Sequence, residues 1–237
     1  MNKFLTATAA FFLCAAPAAA GTWTTNLTAE DMRVRTNGAG IPADEGVGIT
    51  DTTYNGDGWY AGFKSYWGNS HRPDEVNLYA ALKQPCGWGI TCTAEVRYWG
   101  LVPFSRISGD AFDLTFEGSA ALAKWDGGSV TALAHFDELA YINKPDSHVI
   151  KTLVTLNQTI SPGFTLQATT GISNRLDLGR THLPFYGEVR RDISDVVPGL
   201  SVALGAEGFY ILDPHTAFDH QHQFTIAGML NLRWSTQ

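Results

Sequence analysis

His135 and Asp137 stand two residues apart in an alternating run, with Ser119 in the run before it. Hydroxyl, imidazole and carboxylate are the parts of a nucleophilic hydrolase, which needs its base within hydrogen-bond reach of both partners. Residues i and i+2 of one extended strand lie about 7 Å apart. That spacing argues against a His135–Asp137 contact, no oxyanion donor can be named, and no catalytic residue is assigned. A denser group of imidazoles, His215, His220 and His222 with Asp213 and Asp219, has the donor types of a transition-metal site. Its polar setting after Pro214, ahead of the last alternating run, reads as a hydrated loop. No metal and no other cofactor is assigned. Cys86 and Cys92 flank Gly-Trp-Gly-Ile-Thr and lack the CxxC spacing and helix start that activate a thiol. They are read as a disulfide clamp on one hairpin.

That reading requires an oxidising compartment, and the first twenty residues supply the route to one. Lys3 gives a positive start, Phe4–Cys14 an apolar core and Ala18-Ala19-Ala20 a small-residue cleavage site, the pattern of a secretory signal peptide. Beyond it, no stretch holds the roughly 18 continuous apolar residues of a membrane helix. The net charge is −7 with no basic cluster, so there is no electrostatic footprint for nucleic acid.

The elements that position these residues repeat one unit. About ten residues alternate apolar with polar or small, then Gly, Asp, Asn or Pro closes the run. In Glu75–Lys83, Val76, Leu78, Ala80 and Leu82 share one face, and Glu75, Asn77, Tyr79, Ala81 and Lys83 the other. The runs beginning at Ile90 and Asp110, and the one ending at Trp234, separate as cleanly. Weaker runs cover 47–55, 58–67, 129–139, 149–160, 164–174, 183–194 and 200–212. A first strand near Met32–Thr36 brings the number to twelve, with ten as the alternative. Trp125-Asp126-Gly127-Gly128 and Ser161-Pro162-Gly163 have the composition of tight hairpin turns.

This pattern predicts an all-β chain: a single antiparallel transmembrane β-barrel over residues 47–237, preceded by residues 21–46 as an N-terminal strand and loop or a lumenal extension. Single-chain bacterial barrels have even strand numbers and aromatic girdles. Trp59, Tyr60, Tyr66, Trp67, Tyr98, Trp99, Tyr210 and Trp234 lie near strand ends and are assigned to such girdles. The rival is a secreted soluble calyx or sandwich, which turns Leu114, Phe116, Val154, Leu156, Leu204 and Leu230 inward around an apolar ligand.

In the membrane reading the polar face lines the lumen. It comprises Glu75, Lys83, Glu95, Arg97, Asp113, Glu117, His135, Asp137, Lys151, Glu188, Arg190, Asp192, Glu207 and Arg233, with Asn77, Asn157 and Gln167 between them. Both signs are present, so cross-strand pairing can satisfy much of this charge without a ligand. The same groups on the wall of a water-filled bore would bias permeating ions. Long side chains narrow so small a barrel, which favours a structural or envelope-associated barrel, or a narrow passive pore for small solutes or ions, over a general diffusion porin. The expected partners are outer-membrane lipid and small solutes or ions; no protein partner is indicated.

Pro42-Ala43-Asp44-Glu45-Gly46, followed by Gly58-Trp59-Tyr60-Ala61-Gly62-Phe63-Lys64-Ser65, resembles the opening repeats of the TorF-like proteobacterial barrels. The resemblance covers residues 30–100 and implies an exported outer-membrane barrel without an assigned activity. The chain departs from that pattern at Cys86-Gly87-Trp88, and at Ser235-Thr236-Gln237, where a terminal aromatic is common.

Overall fold

The computed structural model describes residues 21–30, 47–68, 74–102, 111–141, 146–212 and 224–236. Among these residues the chain forms twelve strands. They are β1 (Thr22–Glu30), β2 (Val47–Gly56), β3 (Trp59–Gly68), β4 (Asp74–Gly87), β5 (Ile90–Val102), β6 (Ala111–Trp125), β7 (Gly128–Tyr141), β8 (Ser147–Ser161), β9 (Phe164–Arg175), β10 (Arg180–Asp192), β11 (Leu200–Ile211) and β12 (Phe224–Ser235). A short 3-10 turn, Leu176–Leu178, joins β9 to β10. Each strand runs antiparallel to the next. β12 returns to β1, with Thr24 opposite Ser235 and Glu30 opposite Met229, so the sheet closes. Closure pairs every strand on both sides and removes the exposed edges that make open sheets prone to association.

The first strand lies earlier than the periodicity suggested. It is Thr22–Glu30, whereas Met32–Thr36 falls outside the described residues. Threonines between Trp23 and Leu27 blur the apolar alternation in sequence, but β-branched threonine suits a pleated strand, and pairing with both β2 and β12 holds it. The signal segment, the His215–His222 cluster and Pro42–Gly46 also lie outside the described residues.

Residues 57–58, 88–89, 126–127 and 162–163 make tight connections at one end of the barrel, where both termini of the sheet also lie. The connection 193–199 lies at this end too and is longer than those four; at the other end every connection exceeds two residues, and 31–46 and 212–223 are the longest. Short turns mark the periplasmic end of such barrels and long loops the external end. The tight turns use left-handed glycines, such as Gly58 after Asp57 and Gly127 after Asp126. The β4–β5 turn is different, because Trp88 is a non-glycine with positive φ (51°) between Gly87 and Gly89, and its indole is fully exposed.

Cys86 and Cys92 form a disulfide at the foot of this hairpin, their Cα atoms 5.8 Å apart. Six residues of sequence separation close only a small loop in the unfolded chain. The double replacement Cys86→Ser with Cys92→Ser is therefore expected to leave the barrel folded and to cost about 2 kcal/mol. The check is the shift in urea midpoint of the folded barrel relative to the oxidised wild type.

The apolar faces point outward. Leu204 is 66% exposed and Phe116 54%, and Leu114, Val154 and Leu230 are exposed as well. The inward orientation required by a calyx is therefore overturned. A band of bare leucine, valine and phenylalanine on all sides of a closed sheet is stable only against a hydrocarbon solvent.

Candidate functional site: the lumen

Side chains alternate strictly across a strand, so the outward band leaves every second residue to the interior. This rule corrects the girdle assignment. Trp59-Tyr60, Tyr66-Trp67 and Tyr98-Trp99 are adjacent pairs, and one member of each must turn inward. Trp67, Tyr210 and Trp234 are exposed on the outer face, whereas Tyr60, Tyr66 and Trp99 line an internal cavity.

That cavity, about 380 Å³, spans β1 to β8 and reaches β11. Its wall carries Glu30, Glu75, Glu95, Asp113, Glu117, Asp137 and Glu207 against Lys64, Arg97 and Lys151, with Ile49, Thr115 and His135 among the remaining lining residues. Nine of the residues read from sequence as lumenal thus meet in one space: Glu75, Glu95, Arg97, Asp113, Glu117, His135, Asp137, Lys151 and Glu207. Glu188, Arg190 and Arg233 belong to a separate network described below. Lys83 and Asp192 stand exposed near the short-turn end, and Asp192 accepts hydrogen bonds from the backbone N–H and hydroxyl of Ser194.

Within the cavity a chain of bonds crosses β6, β7 and β8. His135 Nδ1 lies 2.7 Å from Glu117 Oε1, and its Nε2 lies 2.6 Å from Asp137 Oδ1. Lys151 Nζ bonds Asp137 Oδ2 at 3.1 Å and sits 3.2 Å from His135 Nε2, while Thr115 donates to Asp137 at 2.7 Å. The expected absence of a His135–Asp137 contact is corrected here. The 7 Å repeat separates backbones, but two long side chains on one face lean along the strand and close the gap. The same lean joins Arg97 to Glu95 and Arg190 to Glu188. With both imidazole nitrogens engaged by carboxylates, His135 has none left to act as base for Ser119, whose cross-strand neighbour is Leu133.

Two tyrosines extend the network across intervening strands. Tyr60 on β3 reaches over Ala81 on β4 and donates to Glu95 on β5 at 2.8 Å. Tyr79 on β4 reaches over Gly62 on β3 and donates to Asp51 on β2 at 2.5 Å. A Cβ at Gly62 would come 2.6 Å from the Tyr79 hydroxyl, so the crossing requires glycine there. A large residue paired with Gly or Ala was the available sequence signal for both, and reading by charge alone missed it.

A second network ties the closing seam. Arg190 donates Nε to Glu188 at 2.9 Å, one terminal nitrogen to Ser201 at 3.1 Å, and the other to Glu188 at 2.9 Å and Asn231 at 2.7 Å. Asn231 in turn donates to Thr28 on β1 at 2.6 Å, Tyr186 donates to Glu188 at 2.6 Å, and Arg233 donates to Asn26 at 2.8 Å. β10, β11, β12 and β1 are thereby bound together from inside.

Toward the long-loop end the interior is packed by apolar and polar side chains together, with Ser147, Ser173, Arg180 and His182 buried there as well. Leu139, Val149, Phe209, Ile211 and Ala227 occupy positions toward the long-loop end of β7, β8, β11 and β12 and are buried, with the His182 ring edge-on to Phe209 at 5.6 Å. Among the described residues no group of three or more His, Cys, Asp or Glu side chains converges to hold a metal ion.

No family model matches the chain, and no curated protein matches its sequence. Solved structures do share its fold. The KdgM porin superposes with a TM-score of 0.61 at 5% identity, over 90% of this chain and 99% of the porin. The NanC porin gives 0.56 at 10% identity, over 89% and 98%. An outer-membrane channel from Pseudomonas putida F1 gives 0.52 at 12% identity, over 93% and 96%. At such identities the likeness is one of fold. Closure in twelve strands, an outward apolar band and a polar lumen agree with it, and by fold the chain is an outer-membrane β-barrel protein of the architecture shared with porins and channels.

Proposed function

We propose that the chain is a narrow, cation-preferring passive pore. The observation that carries this reading is the cavity wall, with seven carboxylate side chains against Lys64, Arg97 and Lys151. Charge on the wall of a confined aqueous path raises the local concentration of counter-ions. Long side chains that reach across the lumen, Tyr60 to Glu95 and Tyr79 to Asp51 among them, narrow its cross-section, which argues against general diffusion. One structural neighbour, the KdgM porin, has been solved in complex with disordered oligogalacturonate. The carboxylate-rich wall of this chain would repel such a polyanion, so its solutes differ in sign. Kinship with the TorF-like barrels is part of the same proposal and rests, among the described residues, on 58–65, the turn glycine Gly58 and the first residues of β3.

Planar-bilayer conductance of the folded mature chain tests the reading, after gel shift and circular dichroism have verified the barrel. Small, reproducible steps with cation selectivity in a KCl gradient are expected. Glu117→Gln should lower that selectivity and Arg97→Gln should raise it, because each removes one wall charge. A folded but silent barrel would overturn the pore and favour a structural, envelope-associated role, to which the buried cluster of Phe209, Ile211 and Ala227 already lends support.

A further inference from the structure

The cations on the cavity wall are largely spent on neighbours. Arg97 donates to Glu95 through Nε at 2.9 Å and a terminal nitrogen at 2.7 Å, and Lys151 bonds Asp137 at 3.1 Å. Asp113 is left out of these bonds although Arg97 is its cross-strand neighbour. It is only 5% exposed, lines the cavity, and its Oδ1 has no hydrogen-bond partner. The orphan atom is an acceptor, and a buried acceptor without a donor carries its full desolvation penalty, more so when it is charged. What the site lacks is a donor with positive charge.

The rest of the lining narrows the chemistry. Tyr60 and Trp99 place aromatic surface beside the carboxylates, while the Tyr66 ring already carries Lys64 Nζ at 4.9 Å from its centroid; aromatic rings favour organic cations over small, strongly hydrated ions. No metal-ligand cluster converges there among the described residues. A volume of about 380 Å³ is within the range of small-molecule sites. We propose that the lumenal cavity binds a small aliphatic amine, one ammonium donating to Asp113 and the hydrocarbon body lying against the aromatic wall. The inference rests on the cation-preferring reading of the lumen and names the solute class for it. Saturable occupancy would make the lumen a selective path for amines rather than a sieve by size.

Isothermal titration calorimetry on the detergent-folded barrel tests this with 1,4-diaminobutane, butylamine and succinate at matched ionic strength. Both amines should bind saturably and succinate should not. Asp113→Asn keeps the shape and removes the charge, and should weaken amine binding about tenfold or more. Lys83→Gln, outside the cavity, should leave binding unchanged. Absence of saturable amine binding to folded wild type, or equal binding by Asp113→Asn, would overturn the inference. Conductance measured in parallel in KCl separates it from the pore reading. A silent barrel that binds amines defeats only the pore, and a conducting barrel that binds none defeats only the amine site.

Discussion

Arg190→Ala is expected to destabilise the barrel by about 3–5 kcal/mol, the range for removing one partner of a buried charge pair. Arg190 and Glu188 have side chains only 11% and 3% exposed, so the loss strands a buried carboxylate. It also frees the amide of Asn231 from one of its two bonds, the other going to Thr28 across the seam where β12 meets β1. Closure is the step that gives every strand two neighbours, so the effect should appear as a lower urea midpoint for the whole barrel and as loss of the heat-modifiable band on gels. Arg190→Lys, which keeps the charge but not the forked geometry, should recover only part of the loss. A change below about 1 kcal/mol for the alanine variant would mean that the network is incidental to closure, as many exposed ion pairs are.

Leu204→Arg should cost about 2–4 kcal/mol in a bilayer, the range for a cationic residue on the lipid face near the membrane midplane. Leu204 lies mid-strand in β11, opposite Val189 on β10 and Leu230 on β12, and all three are exposed on the outer face. No water reaches such a position to solvate a guanidinium. Gln167→Lys, on the lumenal face of β9 opposite Glu188, should change stability by only a small fraction of that amount, because water and a neighbouring carboxylate receive the new charge. Unfolding titrations of both variants in lipid vesicles give the comparison. A soluble calyx requires the opposite order of effects, so the pair of variants tests the facing of the whole sheet and not one side chain.

The comparison between sequence and structure turns on which interactions are local. Alternation along β4, β5, β6 and β12, the Asp-Gly turns and the cysteine pair were legible in the chain. Once one face is committed to lipid, the two-residue period assigns the other side chains of the strand without further information. A charged lumen follows from that rule; the strand number does not, since the sequence left ten or twelve open and its first strand lies at Thr22–Glu30. The tertiary structure alone decided which lumenal groups meet. Asn231 and Thr28 are separated by 203 residues and touch only because the barrel closes. Tyr60 reaches Glu95, and Tyr79 reaches Asp51, only because register places Ala81 and Gly62 beneath them. His135 meets Asp137 because side chains lean along a strand, a freedom that backbone spacing does not express. Asp113 Oδ1 is left without a hydrogen bond, while Arg97 bonds the carboxylate beside it on its own strand and not the one across. Periodicity is a property of each strand and can be read from it. Partnership depends on register and closure, which bring distant strands together, and so belongs to the folded barrel.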